Sequence, residues 1–179
     1  MTIDRKKFFE HVRFDPFHDF NQKQVDGIDA ILNEWEKEFP SGDKRWLAYM
    51  LATAWWETAH TMQPIREYGK GAGHPYGKPI NGKVYYGRGY VQLTWIGNYQ
   101  KLGKLLNVDL VSNPHKALDP DIAARIIFEG MTKGLFTGKR LADYFGGHSD
   151  WTNARKIING LDHAVTIGGV AQHMYTGLE

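Results

Sequence analysis

Residues 63–90 constrain this chain most. They hold seven glycines (69, 71, 73, 77, 82, 87 and 89) and prolines at 64, 75 and 79. Proline lacks the N–H that a helix needs, and glycine loses the most chain entropy on being ordered, so this density excludes a helix. Within it, Asn81-Gly82 lies between Pro79-Ile80 and Val84-Tyr85-Tyr86, which predicts a hairpin closed by a tight turn. Whatever precedes and follows must pack around a small, turn-rich β lobe.

On either side the texture is helical. The first forty residues read as helix, with Gln22, Val25, Ile28, Ile31, Leu32 and Trp35 at spacings of three and four. Pro40-Ser41-Gly42-Asp43 interrupts that pattern and offers Ser41 or Asp43 as the cap of a second helix. Along that helix Trp46, Leu47, Met50, Leu51, Ala54 and Thr58 share one face. After the lobe, helix is expected from Val91 to Leu106 and again from Asp119-Pro120, with a final helix starting at Asp162. No repeat or linker divides the chain, so residues 1–179 are expected to form one domain. Its class is mainly α (α+β), helices around a glycine-rich hairpin lobe with a cleft between.

Composition narrows function by exclusion. With 42% hydrophobic and 23% charged residues the chain reads as globular, and without cysteine it has neither disulfides nor a thiolate metal site. A net charge of +2 with no run of Lys/Arg leaves nucleic acid without an electrostatic footprint. The longest apolar run, Trp46 to Trp56, is too short for a bilayer, so no integral membrane association is expected. Met1-Thr2-Ile3-Asp4-Arg5-Lys6-Lys7 has no apolar stretch behind it, which reads as no secretory signal. The expected location is therefore cytoplasmic until something else releases the protein. The eight His are scattered and Glu57-x-x-His60 has no second half, so no metal and no cofactor is expected. Six Trp and nine Tyr suit a protein that stacks on sugar rings.

Two carboxylates stand out. Glu57 falls about 20° from Met50 on the helical wheel, since seven residues are nearly two turns. It therefore belongs to the apolar face, where lost solvation disfavours the charged form, and it lies near the negative end of the helix dipole. A carboxyl in that setting is a candidate general acid. The competing reading is a half-buried Glu neutralised by an Arg. Glu67, in Ile65-Arg66-Glu67-Tyr68, sits at the entry to the lobe beside a cation. This favours an ionised carboxylate fit to activate water, or else a plain surface pair with Arg66 or Lys70.

The stretch Tyr85-Tyr86-Gly87-Arg88-Gly89-Tyr90-Val91-Gln92-Leu93-Thr94-Trp95-Ile96-Gly97-Asn98-Tyr99 resembles the Y-x-G-R-G-P-x-Q-L-[S/T]-x-x-x-N-Y signature of the family 19 glycoside hydrolases. Trp56-Glu57-Thr58 is similar to that family's H-E-T segment, Arg66-Glu67 to its R-E pair, and Ile157-Ile158-Asn159-Gly160 to its I-I-N-G-G segment. The sequence departs from the pattern at Trp56 (His in the family), Ala59-His60 (paired Gly), Tyr90 (Pro) and Leu161 (Gly). The resemblance implies a lysozyme-like, two-lobed fold and cleavage of β-1,4 bonds by single displacement with inversion. Glu57 would then be the acid, Glu67 the base, and Thr94 would position the water. Gln92, Asn98, Tyr99 and Asn159 would bind the sugar, with Thr58, Tyr86, Trp95 and Arg155 as further substrate contacts. Inversion requires the two carboxyl groups to stand roughly 6.5–9.5 Å apart. Bacterial peptidoglycan is the first substrate expected, cut by an endolysin-like monomer. A chitin-like polymer is the second, and a wall-binding protein without catalysis the third reading.

Overall fold

The computed structural model describes residues 2–13 and 19–179; the part of the expected N-terminal helical stretch at 14–18 lies outside the described residues. Helix α1 (Arg5–Val12) is capped by Asp4, whose carboxylate accepts from the Lys7 N–H, and buries Phe8 and Val12. Arg5 ties it to the next helix through ion pairs to Asp29 at 3.1 Å and Glu36 at 2.9 Å. Helix α2 (Gln22–Glu38) opens with a reciprocal capping box between Asn21 and Gln24 and buries Ile28, Ile31, Leu32 and Trp35, as the spacing predicts. Trp35 then stacks with Phe39 and packs against Phe128 of a later helix.

Asp43, one of the two expected caps, accepts from the Arg45 N–H and opens helix α3 (Lys44–Glu57). Here the structure departs from a one-sided helix. All nine residues from Leu47 to Trp55 are buried, including both the expected face and its opposite. Helix α3 is the central rod of the fold, and the C-terminal helix is its main cover. Each fully buried Leu or Met of the rod contributes about 1.5–3 kcal/mol relative to exposure. The rod ends at Glu57. Beyond it Thr58 donates to the Ala54 carbonyl at 2.7 Å and accepts from the Met62 N–H at 3.0 Å, turning the chain back. Ala59 and His60 take left-handed φ values of 49° and 67°.

The glycine-rich lobe is less regular than a hairpin. Asn81 (φ 49°) and Gly82 (φ 74°) form the expected tight turn, and Ile80 and Lys83 exchange backbone bonds of 2.8 and 3.0 Å. The ladder stops there. Pro79 has no N–H to extend it, and the Tyr85 carbonyl is taken by the Trp95 N–H at 3.0 Å. The regular pairing is instead β1 (Ile65–Arg66) against β2 (Arg88–Gly89), antiparallel, with Ile65 opposite Gly89 and Arg66 opposite Arg88.

Helix α4 (Ile96–Leu106) begins later than Val91 because Gln92 (φ 53°) and Trp95 (φ 69°) are left-handed, and Arg88 and Leu93 close a tight turn before it. Helix α5 (Pro120–Lys133) has Asp119 as its cap and proline at its first position, and it ends at left-handed Gly134. Helix α6 (Ala164–Leu178) starts just after Asp162. Helices α3 and α6 pack together with α1 on α6, while α2 and α4 pack on α5. No described helix is long and apolar enough to cross a membrane.

Candidate active site

Glu57 ends the buried rod with its side chain 17% exposed. Its Oε1 accepts from Arg155 Nη1 at 2.6 Å, and the Arg155 side chain is only 4% exposed. Arg155 Nε in turn donates to the Asp162 carbonyl at 3.1 Å, which fixes the guanidinium from behind. Among the described residues the other Glu57 oxygen has no hydrogen-bond partner. Helical spacing placed Glu57 on the buried side of its helix. The competing reading, a half-buried Glu neutralised by an Arg, is the contact the structure shows there, although spacing could not name a partner 98 positions away.

Glu67 follows β1 in the opposite lobe. Its Oε1 accepts from the Tyr76 hydroxyl at 2.9 Å and its Oε2 from the Gly87 N–H at 2.9 Å. The alternative of a surface pair with Arg66 or Lys70 is not what the structure shows, since neither forms an ion pair with it. Space is tight at Gly87: a Cβ would stand 2.8 Å from Gln92 Oε1 and 3.3 Å from the Glu67 Cβ, so a side chain there would have to displace the Gln92 amide and crowd the Glu67 stem.

The two carboxylates line one cavity of about 400 Å³ together with Tyr76, Gly87, Val91, Gln92, Thr94, Ile158 and Asn159. The rod supplies one wall, the lobe another, and the segment before α6 a third. A larger surface hollow of about 560 Å³, between Asn107 and Ile122, lies away from both carboxylates. Of the residues expected at the site, Glu57, Glu67, Thr94, Gln92 and Asn159 meet in the cavity. Gln92 is held there by donating to the Ile65 and Gly89 carbonyls at 3.3 and 3.2 Å. Asn98 sits behind it, its amide donating to the Thr94 carbonyl at 3.0 Å, so it steadies Thr94 and does not line the cavity. Trp95 is half-exposed and packs its edge on Tyr76 at 5.3 Å, beside the cavity.

Four expected sugar contacts are withdrawn from the cavity by their burial. Thr58 is fully buried and spends its hydroxyl on the turn after α3. Tyr99 is fully buried and donates to the Tyr86 carbonyl at 2.8 Å, and burial raises its phenol to about 12. Tyr86 lies under the Arg88 guanidinium, 3.6 Å from its ring centroid. Arg155 is occupied by Glu57. Arg88 itself, read as part of the signature, is 2% exposed and donates to the Tyr86 carbonyl, the Tyr99 hydroxyl and His115 Nδ1. The signature thus builds a buried Arg88–Tyr86–Tyr99 brace that carries Gly87 and Gln92 on its outer side.

Tyr76 is the site residue that sequence reasoning missed. It sits in a 3-10 turn, Pro75–Gly77, stacked on His74 at 4.9 Å. Burial, followed by the bond to Glu67, raises its hydroxyl above the usual 10, keeping it a proton donor to that carboxylate. No periodicity marks such a residue. Only the rule that an aromatic among glycines is held for a purpose could have flagged it. Among the described residues no three His, Asp or Glu side chains gather as a metal site.

No protein-family model matches the chain. Among curated relatives, Endochitinase 1 of Theobroma cacao is 48% identical over 48 residues, which is 26% of this chain and only 15% of that protein's length. Among solved structures, the family 19, class IV chitinase of Zea mays superposes with a TM-score of 0.60 at 14% identity, covering 96% of this chain and 90% of that one. Chitinase C from Streptomyces griseus gives 0.52 at 19% identity, with 94% and 93% covered. The mainly helical fold is shared with these two chitinases, and the relative that matches part of the chain is an endochitinase.

Proposed function

We propose that this chain is a glycoside hydrolase that cuts β-1,4 bonds of an N-acetylhexosamine polymer by general acid/base catalysis. The observation that carries the reading is the meeting of Glu57 and Glu67, from two different lobes, in one cavity that also holds Thr94, Gln92 and Asn159. A pair of carboxylates lining one cavity is the equipment that glycosidic cleavage by an acid and a base uses. Glu57 acts as the acid that protonates the leaving oxygen. Glu67, fixed by Tyr76 and the Gly87 N–H, serves as the base for a water that Thr94 helps to hold. Inversion follows if that water fits between them. The amides of Gln92 and Asn159 complement the acetamido group, which both donates and accepts.

Chitin is the first substrate in this reading, because the relative and both structural neighbours are named chitinases. Peptidoglycan, whose backbone has the same linkage and acetamido groups, is the second. The test is release of reducing ends from chitin and from purified peptidoglycan, comparing wild type with Glu57→Gln. That substitution keeps shape and removes the transferable proton. Loss of about 10²–10⁴-fold in rate is the expected result. Equal rates in the two proteins would refute the acid assignment, and no release from either polymer would refute the hydrolase.

A further inference from the structure

Formal charge is unevenly placed in this molecule. Residues 63–90 carry five basic side chains (Arg66, Lys70, Lys78, Lys83 and Arg88) against the single acid Glu67, a net of +4. The whole chain carries +2, so everything outside the lobe is net −2. In the ladder Arg66 lies directly opposite Arg88, whose Nε donates to His115 Nδ1 at 3.4 Å. Lys83 closes the Asn81-Gly82 turn, and the Lys70 N–H donates to the Glu67 carbonyl at 3.1 Å. Arg66, Lys70 and Lys83 are all exposed, and among the described residues none of them forms an ion pair. His115 stands beside Arg88, and burial first, then the charges of Arg88, Arg66, Lys83 and Lys70, hold its imidazole below the ordinary 6.5. Apart from Arg88, which is buried in the brace, these cations are free to meet solvent anions. Arg66 and Lys70 border the carboxylate Glu67 itself.

A neutral glycan offers such a face no counter-charge. Unpaired like charges held together in one small lobe repel one another, and an anionic partner relieves that repulsion while raising the local concentration of polymer at the cavity. We infer that the Arg66–Lys70–Lys83 face of the glycine-rich lobe is a docking surface for the carboxylates of a peptide-substituted glycan strand, as in peptidoglycan. The inference rests on the hydrolase reading and selects between its two substrates. The acetamido backbone enters the cavity at Glu57 and Glu67, while acidic groups on the substituents lie along the lobe. Both parts of the polymer are then held by one end of the molecule.

The test separates docking from cleavage. In the Glu57→Gln background, which leaves the polymer intact, co-sedimentation is measured with teichoic-acid-stripped peptidoglycan sacculi and with chitin, from 0.05 to 1 M NaCl. The Lys70→Glu/Lys83→Glu variant is compared with its parent; both positions are exposed and outside the cavity, and matching thermal midpoints show that the variant is folded. Expected is binding to sacculi that falls steeply with salt, because the screening length shrinks from roughly 14 Å toward 3 Å. It should also weaken about 10-fold or more in the charge-reversed protein, with chitin binding unaltered. Salt-independent binding, or equal binding by the two proteins, overturns the docking surface. Unstripped walls are run as a third arm, and binding to them alone overturns the carboxylate assignment in favour of a phosphate polymer. Cleavage by wild type is scored separately, so a protein that docks without cutting sinks the hydrolase reading and leaves the surface standing.

Discussion

The Arg155–Glu57 pair sets up a quantitative prediction. Replacing Arg155 with Met keeps most of the aliphatic volume and removes the charge. What remains is a carboxylate 17% exposed that has lost its only hydrogen-bond donor among the described residues. Removing one partner of a fully buried pair costs about 3–5 kcal/mol. Glu57 faces the cavity and can recover water on that side, so about 2 kcal/mol is the fitting figure for the lost ion pair. The Asp162 carbonyl also loses the Arg155 Nε donor, adding about 1 kcal/mol. A total of about 3 kcal/mol corresponds to a fall in melting midpoint of roughly 6–12 °C for a chain of this size. Thermal and urea unfolding of wild type, Arg155→Met, Glu57→Gln and the double variant form a cycle. Its coupling energy should be about 1–3 kcal/mol, because the two residues are in direct contact. A midpoint within 2 °C of wild type for Arg155→Met (about half a kilocalorie), or a coupling near zero, would show that the contact does not hold Glu57 and that this account of the site is mistaken.

Three further outcomes can be checked. Tyr76→Phe deletes the hydroxyl that donates to Glu67 at 2.9 Å while leaving the Gly87 N–H in place. A charge-assisted bond in this half-open site is worth about 1.4 kcal/mol, so kcat should fall about 10-fold with KM and melting midpoint little changed; a normal kcat counts against Glu67 as the base. Gly89→Ala places a Cβ 2.8 Å from the Ala117 carbonyl oxygen at a φ of +84°, and should lower stability by about 2–4 kcal/mol, read as a shift in the urea midpoint without a change in slope. Acid should loosen the α1–α2 tether. The Arg5 hydrogen bond holds the Glu36 carboxyl below its ordinary 4.5, so the stability it contributes is complete above that value. It is lost as the pH falls through the lowered one. Arg5→Ala should therefore melt lower than wild type at pH 6 and converge with it under strong acid, and a constant difference across that range would contradict the linkage.

How much of this was legible in the sequence depends on range. The capped helices declared themselves through local chemistry: Asp43, Asp119-Pro120 and the three-and-four spacing of α2 all act within a turn or two. Glycine and proline marked the lobe, and Asn81-Gly82 its turn. Glu57 was legible because helical phase alone places it toward the interior. The burial of α3 on every side was not, since periodicity describes a helix with one wet face and this one has none. The burial of Tyr86 and Thr58 was not legible for a related reason, and Tyr99 had a core reading beside that of a sugar contact. A signature records which residues recur together, and an aromatic kept to clasp a buried arginine looks the same in sequence as one kept to stack on sugar. Arg155 and Tyr76 act through contacts spanning 98 and 9 positions across irregular chain, where no local rule reaches.

The two carboxylates belong to bodies of very different construction. Glu57 is the tip of a rod encased by the other helices. Glu67 rides on a lobe whose regular ladder is only two residue pairs, seated on the helices by the Gly89–Ala117 approach, the Tyr90 hydroxyl on the Gly27 carbonyl and the Arg88–His115 bond. The spacing between them is therefore a property of the seating and not of either residue: positions 89 and 117, which line no part of the cavity, set how far Glu67 stands from the end of the rod.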